Sequence, residues 1–170
     1  MGRLSCTRKA APLTYLLTYS LAFCEQVAAE LPTVSCTVLR AEALQSGGFG
    51  GLYHVGLSAA QNGREPALVV LSHAPTAPAV DGRTVAWVGK GIVYDTGGLS
   101  LKVGGGMVGM KSDMGGSAAM LAAFRASVLA GVDHPLHLVM CIAENAIGAG
   151  AVSSRKHTHS RSNSAFGGLC

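Results

Sequence analysis

The stretch that decides how this chain is interpreted is VGKGIVYDTGGLSLKVGGGMVGMKSDMGG, residues 88–116. Lys90, Asp95 and Asp113 lie in it among glycines and apolar residues, and Lys102 lies between the two aspartates. Placing charged side chains in apolar surroundings is costly unless they have partners. The question is therefore which partners these lysines and carboxylates have.

The composition describes a chain that can form one domain with a real core, because it has 170 residues of which 49% are hydrophobic. Only 13% are charged, against about 25% in ordinary soluble domains, which suggests that further chain or partner subunits cover part of its surface. The net charge of +4 is modest, and the sequence lacks basic residues interleaved with aromatic ones. No nucleic-acid binding is therefore expected. Five cysteines without a C-x-x-C pair predict reduced thiols rather than a disulfide framework or a zinc knuckle.

The N-terminus allows two interpretations. Arg3, Arg8 and Lys9 precede an apolar run over residues 10–24, which is the outline of a signal peptide. Polar residues interrupt the run, and it is too short to span a bilayer comfortably. The alternative is a helix over residues 14–31 whose apolar face packs on the domain, and no membrane association is expected.

Hydrophobic periodicity predicts strands and helices in alternation. Alternation of apolar and polar residues predicts a strand at 33–40. Continuous apolar runs predict three strands buried on both faces, at 67–73, 84–95 (broken at Gly89) and 136–145. A second helix is predicted over 115–132 with Gly131 as its C-terminal cap. Residues 41–60 are expected to form a short helix and then a glycine-rich loop. The strand, helix, strand order predicts a parallel α/β sheet.

Asp95 and Asp113 are placed where a hard cation could bind. Asp95 directly follows a predicted strand, and Asp113 precedes a predicted helix across glycines; carboxylates at such positions can hold a cation. Two structural alternatives stay open. Asp95 could form an Asx turn with the residues up to Gly98, and Asp113 could simply cap the helix.

The two lysines suggest different chemistry. Lys90 lies between two glycines in the predicted strand, and burial near a divalent ion would favour its neutral amine, which can ligate metal. Lys102 would carry a fixed positive charge that polarises a carbonyl or stabilises an oxyanion; the alternative is an exposed loop lysine. The glycines at 104–106 lack the GxxxxGK[ST] pattern, so nucleotide binding is not expected.

The segments VGKGIVYDTGGLSLK and MVGMKSDMGGSAAML closely resemble the leucyl aminopeptidase family, the dinuclear metallo-aminopeptidases of the cytosol that form homo-hexamers. The resemblance extends more weakly over residues 25–148. It implies an α/β fold, namely a partial three-layer α/β/α catalytic domain with a mainly parallel sheet, incomplete in this chain. It also implies a cytoplasmic enzyme that hydrolyses N-terminal residues, leucine above all, from peptide substrates.

The resemblance also implies roles for individual residues. Lys90 and Asp113 correspond to ligands of the tighter metal site, and Asp95 to the aspartate that bridges both metals. Lys102 corresponds to the lysine that polarises the scissile carbonyl, and Met110 to a residue lining the pocket for the N-terminal side chain. In the family, two divalent ions such as Mn²⁺ or Zn²⁺ activate a water and bind the substrate amine.

One family motif has no match in this chain. The segment N-T-D-A-E-G-R, which completes both metal sites in the family, is absent, so at most one well-held metal site is expected. The expected organisation is a poorly matched segment at 1–24, a partial catalytic region at 25–148 and a divergent, disordered tail at 149–170.

Three interpretations follow from that missing segment. The chain represents an enzyme of this family as a fragment, a frameshifted form or a gene remnant, and alone it is expected to have little or no activity. Alternatively, it is a non-catalytic homologue that binds one metal weakly or joins full-length subunits. As a third possibility, His157 and His159 supply replacement metal ligands.

Overall fold

A computed structural model describes residues 14–76 and 82–152, with side chains described from residue 20 onward. Four helices and four strands occur in that part, in the order α1 (Thr14–Glu30), β1 (Val34–Arg40), α2 (Ala41–Ser46), α3 (Gly50–Ala60), β2 (Ala67–His73), β3 (Val85–Asp95), α4 (Gly115–Leu129) and β4 (Leu136–Asn145). The predicted α/β class is confirmed. The N-terminal basic residues and most of the predicted tail, with His157 and His159, lie outside the described residues.

The strands form one sheet in the order β1-β2-β4-β3. Only β3 and β4 pair in parallel, whereas β1 with β2 and β2 with β4 are antiparallel. The described sheet is therefore mixed, where the sequence predicted a mainly parallel one. A parallel pair needs a crossover connection, which α4 supplies between β3 and β4, whereas β1 and β2 pair antiparallel although α2 and α3 lie between them in the chain.

The core lies between one face of the sheet and the helices α1 and α4. It contains alternate residues of the strands and the inward sides of both helices, including Leu21, Cys24, Val27, Val69, Leu71, Leu121, Phe124, Leu138 and Met140. Helix α1 thus packs its apolar side on the domain, as one of the two N-terminal interpretations expected. Within residues 14–76 and 82–152, no helix is long and apolar enough to cross a membrane.

The glycine-rich segment after α2 differs from the prediction, because most of it forms the helix α3 rather than a loop. Glycine disfavours helices, but packing overrides this tendency here. A Cβ atom at Gly56 would lie 2.5 Å from the Cβ of Pro66, so only glycine lets α3 approach the start of β2 this closely. Helices α2 and α3 contact β2, and α3 also contacts β4.

Strand β3 differs from the prediction in two ways. It continues through Gly89 without a break, and its irregularity is a shift of register between Ile92 and Tyr94. It is also an edge strand of the described sheet rather than a strand buried on both faces, and Val88 is 67% exposed. The covered face is occupied by α4, and no described element covers Val88 on the other.

Candidate functional site

Glycines bring the N-terminus of α4 into direct contact with β3. A Cβ atom at Gly89 would lie 2.7 Å from the Cα of Ser117, and one at Gly116 would lie 3.3 Å from the backbone nitrogen of Lys90. The Ser117 hydroxyl donates a hydrogen bond of 2.8 Å to the carbonyl of Gly89. This close packing explains why β3 tolerates Gly89 in its interior, and it brings the residues before α4 to Lys90.

Lys90 and Asp113 form the first ion pair of the site, with Lys90 Nζ 2.9 Å from Asp113 Oδ1. Asp113 Oδ2 is buried and has no hydrogen-bond partner among the described residues. Asp113 makes no capping hydrogen bond, because the N-cap residue of α4 is Met114 and no side-chain cap is formed there, so the capping alternative reduces to its position before the helix N-terminus. The expected burial of Lys90 is also wrong: its side chain is 61% exposed, since Lys90 alternates with Gly89 and Gly91, which face α4, and lies on the other face of β3.

Asp95 sits at the end of β3 and is held by both of its carboxylate oxygens. Oδ1 accepts hydrogen bonds from the backbone N–H of Gly97 at 2.9 Å and from the side-chain amide of Asn145 at 2.7 Å. Oδ2 lies 3.2 Å from Lys102 Nζ. The Gly97 contact is the Asx turn considered above, and it coexists with the ion pair.

The environment of Asp95 shifts its acidity. Burial acts to raise the pKa of this carboxyl group, but the hydrogen bonds from Gly97, Asn145 and Lys102 outweigh burial and leave the pKa below its ordinary value. Hydrogen bonds and a nearby cation both favour the charged form. Asp95 is therefore held as a carboxylate, the form that a metal ion or a lysine requires.

Lys102 is held in a structured loop, so the alternative of an exposed loop lysine is wrong. Its backbone N–H donates to the carbonyl of Thr96 at 2.9 Å, and its side chain is only 32% exposed. The ion pair with Asp95 borders an open pocket of about 240 Å³, lined by Val55, Asp95, Gly97, Ser100, Lys102, Asn145 and Val152. The pocket gives a small polar group access to both charges.

Met110 begins a short 3₁₀ turn, Met110–Ser112, that leads directly to Asp113. Its side chain is half-buried. This position next to a site carboxylate is compatible with the predicted pocket-lining role, which stays a prediction.

Sequence reasoning missed Asn145, whose side chain contacts Asp95. The available signal was the one used for Asp95 itself, a polar residue at the end of a buried strand. The neighbouring Glu144, only 3% exposed, is held by Arg64 at 2.6 Å. This buried ion pair ties the end of β4 to the connection between α3 and β2, and so fixes the strand end that carries Asn145.

The residues present fit part of a metal site. Divalent cations take carboxylate oxygens as ligands, and the unpaired Oδ2 of Asp113 and the Oδ2 of Asp95 are such oxygens. In residues 14–76 and 82–152, however, no three His, Cys, Asp or Glu side chains come together to hold a metal. These residues alone do not enclose an ion, so a complete site needs additional ligands.

Comparison with known sequences identifies the family to which this site belongs. The profile described as "Cytosol aminopeptidase family, catalytic domain" matches residues 7–163, which is most of the chain. The chain belongs to the cytosol aminopeptidase family, and the predicted resemblance to the leucyl aminopeptidases is confirmed.

Individual relatives show how much of a whole protein this chain represents. It is 52% identical over 126 residues to the probable aminopeptidase NPEPL1 of Mus musculus, covering 74% of this chain and 23% of that protein. The solved apo structure of leucyl aminopeptidase from Trypanosoma cruzi superimposes with a TM-score of 0.74 at 40% identity, over 84% of this chain and 27% of the other. The chain thus spans about a quarter of these relatives.

A third relative was solved with a metal. The bottromycin maturation enzyme BotP, in complex with Mn, superimposes with a TM-score of 0.71 at 33% identity. The match covers 84% of this chain and 30% of the BotP chain. The described fold is therefore the partial catalytic-domain fold that the sequence predicted.

Proposed function

We propose that this chain carries part of the catalytic centre of a metal-dependent aminopeptidase that releases N-terminal residues, leucine above all, from peptides. The supporting observation is the anchored Asp95–Lys102 pair at the carboxyl end of β3, with Asn145 and Gly97 fixing the carboxylate. Ligand sites in α/β sheets lie at this end of the strands. Membership of the cytosol aminopeptidase family supplies the reaction class.

Asp95, Asp113 and Lys90 are the residues of this chain that would hold metal. Asp113 offers its unpaired Oδ2 and Asp95 its Oδ2, and Lys90, ion-paired with Asp113 here, would ligate the ion as a neutral amine after losing its proton. The family centre takes two divalent ions, Mn²⁺ or Zn²⁺, of which these residues hold at most one well. When bound, such ions supply a nucleophile from water and a binding point for the free amine of the substrate.

Lys102 would stabilise the negative charge that develops on the scissile carbonyl oxygen. Its ammonium group borders the pocket at Asp95, and its half-buried position strengthens electrostatic interactions relative to water. The Asp95 contact restrains the lysine, so it does not have to be oriented during the reaction. Met110, close to Asp113 in sequence, would contact the leucine-type side chain of the substrate.

The whole protein would act in the cytoplasm on peptide substrates as a homo-hexamer. Residues 25–148 would form its partial catalytic region, and 149–170 its divergent tail. The exposed apolar side chains of the loop after β3, Leu99, Leu101, Val103 and Val108, support coverage by further subunits or further chain.

The proposal is tested by hydrolysis of leucine p-nitroanilide by the full chain with Mn²⁺ or Zn²⁺, where a partial centre should give turnover that is low but measurable. We expect Lys102→Ala to lower kcat by about 10²–10³-fold, because one oxyanion-stabilising donor is worth that much, while Mn²⁺ binding is unchanged. Lys111→Ala is the matched control, since Lys111 is an exposed lysine of the same segment, and its kcat should stay within about twofold. Unchanged turnover in Lys102→Ala would contradict the assigned role.

A second candidate function is a non-catalytic homologue that binds one metal weakly or joins full-length subunits. The absence of three clustered His, Cys, Asp or Glu side chains within the described ranges favours it. It predicts a thermal shift with millimolar Mn²⁺ that Asp113→Ala abolishes, without hydrolysis of leucine p-nitroanilide. Hydrolysis by the chain alone would exclude it.

A further inference from the structure

The register shift in β3 determines which residue of β4 faces Asp95. Up to the shift, Ile92 lies opposite Ala143, and beyond it Asp95 lies opposite Asn145. If the first register continued, Asp95 would lie opposite Ala146, which has no side-chain donor. Bulges of this kind occur next to active sites and redirect side chains. The irregularity therefore brings a donor to Asp95.

Asn145 is held on β4 by its backbone while its side chain reaches Asp95. The Asn145 carbonyl accepts hydrogen bonds from the Thr96 N–H at 3.0 Å and from the Thr96 hydroxyl at 2.8 Å. Its side-chain Nδ2 donates to Asp95 Oδ1 at 2.7 Å. Because Gly97 donates to the same oxygen, Oδ1 has two donors, and Oδ2 is the oxygen left for Lys102 and a cation.

The other end of the Asn145 amide has no partner within the described part of the chain. Its Oδ1 is buried without a hydrogen bond among the described residues, and a Cβ atom at Gly98 would lie 3.0 Å from it. A buried acceptor without a donor lowers stability. An asparagine that served stability alone would not leave this atom unpaired, and such local costs are typical of functional positions.

We propose that Asn145 is a positioning residue, whose amide fixes the Asp95 carboxylate so that Oδ2 points to Lys102 and to a bound divalent ion. The inference rests on the proposed function for the identity of the ion. Without the Asn145 donor, Asp95 can rotate about its side-chain bonds, and Oδ2 is no longer held in one place. Residues that orient ligands in this way typically account for about 10–100-fold in metal affinity.

Asn145→Leu tests this role, because leucine has a similar volume but removes both polar ends of the side chain. We expect its melting temperature to fall only slightly, because the lost hydrogen bond to Asp95 is partly offset by removal of the unpaired acceptor. The Kd for Mn²⁺, followed by electron paramagnetic resonance of the free ion, should rise about 10-fold or more. Asn62→Leu is the control, because Asn62 is exposed in the turn after α3. The Kd of this variant for Mn²⁺ should equal that of the wild-type chain.

Asn145→Ala provides a second variant in case leucine prevents folding. If a folded Asn145 variant binds Mn²⁺ with the same Kd as the wild-type chain, the inference is overturned and the proposed function is left intact. If the wild-type chain binds no Mn²⁺, the proposed metal site fails instead. The positioning is then judged from the Asn145 side-chain amide signals in NMR: a shift on Asp95→Ala supports it, and no shift overturns it.

Discussion

Two lysine–aspartate pairs lie in the site, and their surroundings differ sharply. In the pair of Lys102 and Asp95 the side chains are 32% and 16% exposed, and both carboxylate oxygens have partners. In the pair of Lys90 and Asp113 the aspartate is similarly buried, at 20% exposed, but the lysine is 61% exposed, and one carboxylate oxygen has no hydrogen-bond partner among the described residues. The same two residue types thus make a fixed network in one place and an open ion pair in the other, because burial and additional hydrogen bonds, not charge alone, determine the strength of an ion pair.

The largest expected difference between the pairs is in stability. Asp95→Ala removes the acceptor for the Gly97 N–H and the Asn145 amide, and should lower the free energy of unfolding by about 2–3 kcal/mol. Asp113→Ala removes one ion pair with an exposed lysine and a buried unpaired oxygen, and should cost less than about 1 kcal/mol. Urea unfolding of both variants measures the difference. Equal losses would show that the additional hydrogen bonds of Asp95 contribute nothing.

The coupling energies of the two ion pairs should differ by a smaller amount. Double-mutant cycles with alanine should give about 1 kcal/mol for Lys102 with Asp95, and about 0.2–0.5 kcal/mol for Lys90 with Asp113. Salt screens exposed charges more than half-buried ones. Repeating the cycles in 1 M NaCl should therefore abolish the Lys90 coupling and only reduce the Lys102 coupling; equal screening would contradict the comparison.

The smallest expected effect is a pH dependence that comes from Asp95. Its pKa in the folded chain lies below the ordinary value of 3.8, so the folded form releases this proton more readily than the unfolded form. The resulting stabilisation is complete above the unfolded pKa and is lost as pH falls through the folded pKa. The stability difference between wild type and Asp95→Asn should be constant from about pH 5 to 7 and shrink below about pH 4. A difference that persists to pH 2 would argue against a lowered pKa.

Local patterns in the sequence predicted the elements well but not their pairing. Apolar runs located β2 and β4, and Gly131 was correctly predicted to end α4, where it has φ +80°. The strand directions depend on how distant segments pair, so the mixed sheet could not be inferred from short-range order. A glycine inside a strand pattern suggested a break at Gly89. Its actual role, close packing against Ser117, involves a residue 28 positions away and is not visible in the local sequence.

Within the site, the residues near one another in sequence were easier to predict than those brought together by the fold. The Asx turn of Asp95 follows from the adjacent glycines. The exposure of Lys90 depends on which face of β3 is covered by α4, and the contact of Asn145 depends on a register shift between two strands. Neither is encoded in spacing along the chain. The metal-ligand and substrate roles of Lys90, Asp113 and Met110 stay predictions for the experiments above.

The register of β3 against β4 also sets an order of events during folding. Asp95 and Lys102 are close in sequence and can meet as soon as their loop forms, whereas Asp95 and Asn145 are 50 residues apart. Long-range parallel pairing forms slowly, because a long loop must close first. A nascent chain that ends before β4 therefore contains both charges of the Asp95 pair but lacks their fixed geometry. The last strand of the described sheet supplies the final contact to Asp95, so a correctly oriented Asp95 indicates that the sheet has formed in the correct register.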